Sequence, residues 1–396
     1  MNKIIVSIIS RFSIQVTSMA FNFFLLFFAS VILKDNEFIV FSLLFSLIIF
    51  SSFLSRLGLN YSYVELKRKV GLKPEVLFIY AILQIFSISL LFFFCSFFFI
   101  TLVDLVTYIY AFFISVFLAL SPSWIYYEKN NSYYYAKIIL IPRLLTLVIL
   151  FFTLSGFSIN QIEHNINFFL GILFFSILPS TIYLLFNNLN NSKFYKLTID
   201  NNILNFVNIN MSYFGNMLVN NQVILLWLLF ISLYKPSEAP YFIFIFQIIR
   251  LLNISTNILS EVFANFFYDK DINTSSRAIF LSLLFILITC FPIFYILDFL
   301  IVLSNNYFLF SILPMLSTLI FLTFIQAINK LINYPIISKI RSISFVHRVN
   351  YVFLICHFIM MLFFIFHDLD YSQIPYILIF VSLTQLLFNF FVIVRK

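Results

Sequence analysis

The 396-residue chain is 63% hydrophobic and only 10% charged, against roughly 25% charged residues in a soluble domain. Its mean hydropathy of +1.06 comes from continuous apolar runs, which exclude a water-soluble fold and also a β-barrel, whose strands alternate. The formal net charge of +8 raises the question of an anionic polymer as partner, and the placement of the charges answers it below. Gly at 5 and Pro at 10 are too few for a collagen-like or disordered chain. The excess of Phe, Ile, Asn and Tyr is what a gene rich in A/T codons would also produce, and it receives no functional weight.

The first span is read at about Phe12–Leu33, with Ile4 as its earliest start, and no small-residue cleavage site ends it as in a secretory signal. Further spans are expected near Phe38–Leu57, Val76–Ile100, Leu105–Leu120, Ile138–Phe157 and Ile166–Phe186. Each approaches the roughly 20 residues that cross a bilayer as a helix. The longest polar interruption follows, from Asn187 to Asn202. Beyond it the rhythm repeats near Leu204–Leu233, Tyr241–Phe263, Ala278–Leu300, Tyr307–Ile328, Val349–Phe366 and Ile374–Val394. The chain therefore reads as an all-α polytopic membrane protein of about twelve transmembrane helices. Its expected division is a six-helix lobe at 1–190, a cytoplasmic connector at 191–203 and a second six-helix lobe at 204–396.

Lys and Arg collect in alternate loops, as they do on the cytoplasmic side of membranes. Lys67, Arg68, Lys69, Lys73, Lys193, Lys196, Lys270, Arg277, Lys330, Lys339, Arg341 and Arg348 all fall on the side of the N-terminus, whereas Lys34 and Lys235 fall on the other. Both termini are then expected in the cytoplasm. The net charge is a topology signal, and no nucleic-acid partner is expected. The outward loops, such as those with Glu238 or with Asp368 and Asp370, are too short to hold a catalytic domain.

Charge inside a bilayer costs at least about 2.5–3.5 kcal/mol on insertion scales, so intramembrane ions mark function. Polar residues at helical spacing share one face. Arg11, Gln15, Ser18 and Asn22 form such a stripe on the first span, and Asn205, Asn208, Ser212, Asn216 and Asn220 on the seventh. Gln247, Arg250, Asn253, Asn257 and Glu261 form one on the eighth, with Arg250 near mid-membrane. Arg143 follows Pro142 in the inner half of the fifth span. Glu261, at the inner end of the eighth span, is the carboxylate placed to pair with an arginine or act in gating. Arginines facing a polar cleft call for water or an anion, and a lipid with a large anionic head group is the natural candidate. Cys95, Cys290 and Cys356 are scattered, as are the four histidines. No metal-ligand spacing, nucleotide-binding glycine loop or nucleophile elbow is present, so no metal, cofactor or catalytic residue is expected.

Ser121-Pro122-Ser123-Trp124-Ile125-Tyr126-Tyr127-Glu128, followed by Ala136 and Arg143, resembles the O-antigen flippases, which close the fourth helix with Pro-x-Trp, an aromatic pair and an acidic residue. Tyr127-Glu128-Lys129 stands where that family often has Gln-Gly. Leu57-Gly58-Leu59-Asn60 at the end of the second span is also similar. The resemblance implies the multidrug/oligosaccharidyl-lipid/polysaccharide exporter fold, with two six-helix lobes around a central cavity lined by helices one, two, seven and eight. Arg11 and Arg250 match by position the arginines that related lipid flippases carry on their first and eighth helices.

The implied function is transfer of a polyprenyl-pyrophosphate-linked oligosaccharide across the bacterial cytoplasmic (inner) membrane, as in lipopolysaccharide O-antigen assembly. Arg11, Gln15, Asn22, Arg143, Asn216, Asn220, Arg250, Asn253 and Asn257 would line the cargo cavity. The partners implied are the lipid-linked glycan, with a polysaccharide polymerase and a chain-length regulator as candidates in the same membrane. Two other classes compete. A polymerase or ligase of the same pathway would need a long outward loop, and a drug or cation antiporter of the same fold would need a carboxylate at depth.

Overall fold

A computed structural model describes residues 2–55, 74–99, 101–120, 132–156, 165–190, 223–253, 307–332 and 343–394, with a few single positions between 280 and 302. Among these residues the regular structure is helical, with no strand. The helices are α1 (Asn2–Ile32), α2 (Asp35–Leu54), α3 (Pro74–Phe99), α4 (Leu105–Ala119), α5 (Ser132–Gly156) and α6 (Ile166–Asn190). They continue with α7 (Val223–Tyr234), α8 (Ala239–Leu252), α9 (Leu316–Ile332), α10 (Ile343–Phe366) and α11 (Ile374–Val394). Among the described residues, seven helices are long and apolar enough to cross a membrane by length and composition. In lipid every backbone group must be satisfied within the chain, and apolar helices do this unaided.

The serines show the same economy. Ser46 Oγ donates to the Ser42 carbonyl at 2.7 Å, Ser51 to Ile48 at 3.0 Å and Ser176 to Leu173 at 2.7 Å. Each bonds its own preceding turn, so these hydroxyls cost little in an apolar helix and tie nothing to a neighbour. Large apolar side chains point outward as well as inward: Phe97 is 68% exposed and Phe380 63%. Such patches are rare on soluble monomers and are what a lipid-facing surface requires.

The chain divides into two compact units, one of Phe24–Met217 and one of Met1–Phe23 with Leu218–Lys396. The sequence plan counts the first 23 residues with the N-terminal lobe, whereas in this division they group with the C-terminal part.

In the unit Phe24–Met217, α4 packs against α2, α3 and α6, and α5 against α6. Asp104 caps α4 by accepting from the Thr107 amide at 2.9 Å. That backbone hydrogen bond holds its carboxyl below the usual carboxylate range. Phe92 meets Tyr108 and Phe112 between α3 and α4, and Phe174 meets Tyr110 and Phe117 between α4 and α6. Polar bonds also cross between helices. The Thr107 hydroxyl donates to Asn167 Oδ1 at 2.9 Å, Gln84 Nε2 to the Ala119 carbonyl at 3.0 Å, and the Thr181 hydroxyl to the Phe117 carbonyl at 3.2 Å.

In the other unit, α8 is buried from Phe242 to Ile249 without a break. Helices α7 and α9 flank it. The N-terminal part of α1 joins them: the Phe23 and Phe244 rings lie 6.3 Å apart, and Met19 packs with Leu251. These two contacts run in opposite order along the two helices, so α1 and α8 are antiparallel. A second core joins α9, α10 and α11 around Ile332, Val346 and Val392.

The loops expected to face outward meet at one end of this unit. Lys235 Nζ lies 2.6 Å from Asp368 and 3.7 Å from Glu238, and donates to the Leu369 carbonyl at 3.1 Å. Tyr241 stacks on Tyr371 at 4.2 Å. Asp368 adopts φ 48°, a left-handed conformation that Asp tolerates better than most residues. Burial works to lower the pKa of Lys235, but the hydrogen bond to Asp368 and the charges of Glu238, Asp368 and Asp370 outweigh it and raise the net value. Burial raises Glu238 despite the neighbouring ammonium.

Several spans differ from their sequence reading; α10 for one starts at Ile343, so Arg348, expected in a basic loop, is helical. Helix α1 starts at Asn2, earlier than expected. Helix α9 runs to Ile332, so Lys330, expected in a basic loop, is helical and only 6% exposed. On the eighth span α8 ends at Leu252 with Asn253 as its C-cap, so Arg250 stands in the last turn, where a cation complements the helix dipole.

Candidate functional site

The residues that the sequence singled out fall into three groups. Asn216, Asn220, Asn257 and Glu261 lie outside the described residues, as do the connector and most of the motif that carries the family resemblance. Arg11 and Gln15 lie in α1, and their side chains are not described. Arg143 stands half-buried on α5 in the unit Phe24–Met217. Asn22, Arg250 and Asn253 are brought into one unit, on α1 and α8.

Helix geometry gives these three a common frame. At about 100° per residue, Gln247 and Arg250 lie about 60° and 120° round α8 from Phe244, the residue that faces α1. Asn253 lies about half a turn from Phe244 and faces α9, where its Nδ2 donates to Gln326 Oε1 at 3.3 Å. Gln247 and Arg250 therefore fill the arc between the α1-facing and α9-facing lines. On α1, Ser18 and Asn22 lie about 60–100° from Met19, which packs with Leu251. For right-handed antiparallel helices, that offset puts Ser18 and Asn22 on the same side of the contact as Gln247 and Arg250. Asn22 is level with Gln247, and Ser18 with Arg250.

Ser18 Oγ donates to the Ile14 carbonyl of its own helix at 2.6 Å. The Arg250 guanidinium carbon sits 5.3 Å from the centre of the Phe246 ring, a cation–π distance. Gln247 is 0% exposed, and neither its Nε2 nor its Oε1 has a hydrogen-bond partner among the described residues. The same holds for Asn253 Oδ1. Leaving a buried polar group unpaired costs about 1–3 kcal/mol. The face thus combines a cation with an amide whose donor and acceptor have no partner among the described residues, and Asn253 Oδ1 adds a second such oxygen on the side towards α9.

A second group of buried amides escaped the sequence reading. Asn389 Nδ2 donates to Asn329 Oδ1 at 3.0 Å, Asn329 Nδ2 to the Ser382 carbonyl at 2.8 Å, and Gln385 Nε2 to Asn350 Oδ1 at 3.3 Å. These bonds tie α9, α10 and α11 together. The signal was available: Gln326 and Asn329 are three apart, and Gln385 and Asn389 four apart. Among the described residues, no group of three His, Cys, Asp or Glu could hold a metal ion. Compared with family models, curated proteins and solved structures, the chain matches none.

Proposed function

We propose that this protein is a flippase that carries a polyprenyl-pyrophosphate-linked oligosaccharide from the inner to the outer leaflet of a bacterial cytoplasmic membrane. In this reading about twelve helices form two lobes that rock around a cleft, with both termini cytoplasmic. The observation that carries it is the face shared by Asn22, Gln247 and Arg250, where a half-buried cation on an apolar helix stands beside a buried amide without partners among the described residues. Membrane-buried cations are costly and mark anion or substrate paths. A guanidinium matches phosphate oxygens with paired donors, and amides offer hydrogen bonds to sugar hydroxyls. The transferred group crosses chemically unchanged, so no nucleophile or metal is called for.

Arg250 is then required for its charge. Arg250→Ala is expected to lower surface glycan at least tenfold, about 1.4 kcal/mol or more of lost cargo stabilisation, with the amount of protein in the membrane unchanged. Arg250→Lys, which keeps the charge and loses the fork, is expected to retain part of the activity. Full surface glycan in the Arg250→Ala strain would contradict the proposal.

A further inference from the structure

Gln247 poses a physical problem that Arg250 does not. An aliphatic side chain of similar length would fill the same space without the desolvation cost of two unpaired polar atoms. It lies three residues before Arg250 on the same face, a spacing that sets side chains about 5–6 Å apart. It is level with Asn22 of α1, on the side where both helices turn their polar residues. An amide at that distance from a phosphate-binding guanidinium is placed to reach the group next to the phosphate. In a glycosyl diphosphate this is the hydroxyl or acetamido group beside the anomeric carbon. That group offers a donor and an acceptor together, the complement of a carboxamide.

We infer that Gln247 reads the first sugar of the cargo, and so separates a glycosylated polyprenyl diphosphate from the bare polyprenyl diphosphate that Arg250 alone would hold. The inference rests on the flippase reading and deepens it. Gln247 makes its hydrogen bonds only with cargo present, and a site built to bond a hydroxyl discriminates against a ligand that lacks one.

The test compares two probes, undecaprenyl diphosphate and the same lipid carrying one N-acetylglucosamine, on the purified full-length protein in nanodiscs. Wild type should bind the glycosylated lipid roughly tenfold more tightly than the bare one, the worth of one or two hydrogen bonds. Gln247→Met, an apolar residue of similar shape, should bring that ratio close to one. Without lipid, Gln247→Met should melt at or above the wild-type temperature, because it removes an unpaired amide. A ratio unchanged in Gln247→Met would overturn the inference. So would a variant that melts well below wild type, since an amide without partners cannot be what holds the fold. The failure of the two readings is distinguishable. If wild type binds both lipids equally, and Arg250→Ala binds neither, the flippase reading stands and the role of Gln247 falls. If wild type binds neither lipid, both fall.

Discussion

Two groups of buried amides in one unit have opposite fates. Asn329, Asn389, Gln385 and Asn350 bond across α9, α10 and α11, with Asn389 Oδ1 left without a partner among the described residues. Gln247 on α8 is as deeply buried and bonds to nothing among the described residues. Both groups have the same chemistry in the same apolar setting, so polarity alone does not separate glue from site. The separating feature is satisfaction. A paired amide holds helices together, with measured values in membrane proteins averaging about 0.6 kcal/mol and reaching about 1.7. An amide with neither atom paired is a cost to the resting fold, which in the proposed reading the cargo offsets.

The largest stability effect should come from breaking the paired group. Asn329→Leu removes the acceptor of Asn389 and the donor to the Ser382 carbonyl. It should destabilise the protein by about 1–3 kcal/mol, through two groups left unsatisfied. A thermal shift of the purified protein measures this, and Gln247→Met serves as the paired control with the opposite sign. If both variants melt alike, the distinction between the two groups is broken.

A smaller effect is expected at the loop end of the same unit, where partners are solvated. Lys235→Met should cost about 0.2–1 kcal/mol, because Asp368 is 77% exposed and exposed ion pairs are screened. Since the folded state raises the pKa of Lys235, its contribution is fully present below the ordinary value of 10.5 and is lost as the pH rises through the folded value. The difference in melting temperature between wild type and Lys235→Met should thus be steady at neutral pH and fade in alkali. A difference that grew with pH would place the stabilisation elsewhere.

Much of the helical frame was legible because membrane spans are written as continuous apolar runs. The last helix runs Ile374–Val394, and α4 starts at Leu105, both as read from the sequence. Lys330 was misread as a loop residue because one cation interrupts hydropathy but not helix geometry. The stripe on α1 was legible from its spacing of three and four, and so was that on α8. What no single stripe carries is which other helix it meets. That Met19 packs with Leu251, and that Asn389 reaches Asn329 across 60 positions, are facts of packing. Whether an amide is paired depends on such contacts, which is why Gln247 and Asn389 look alike in the sequence.

The central claim is that the side of the α1–α8 contact bearing Ser18, Asn22, Gln247 and Arg250 opens to water and cargo, while the contact itself stays closed. Cysteine accessibility on α1 tests it most directly, in a chain whose native Cys95, Cys290 and Cys356 are replaced by Ser or Ala. A small impermeant thiol reagent, applied to both faces of reconstituted membranes, should modify Asn22→Cys and Ser18→Cys. Met19→Cys and Phe23→Cys, which face α8, should stay unmodified. Glycosylated undecaprenyl diphosphate should protect Asn22→Cys. Equal reactivity at all four positions, or reaction at Met19→Cys alone, would contradict the account.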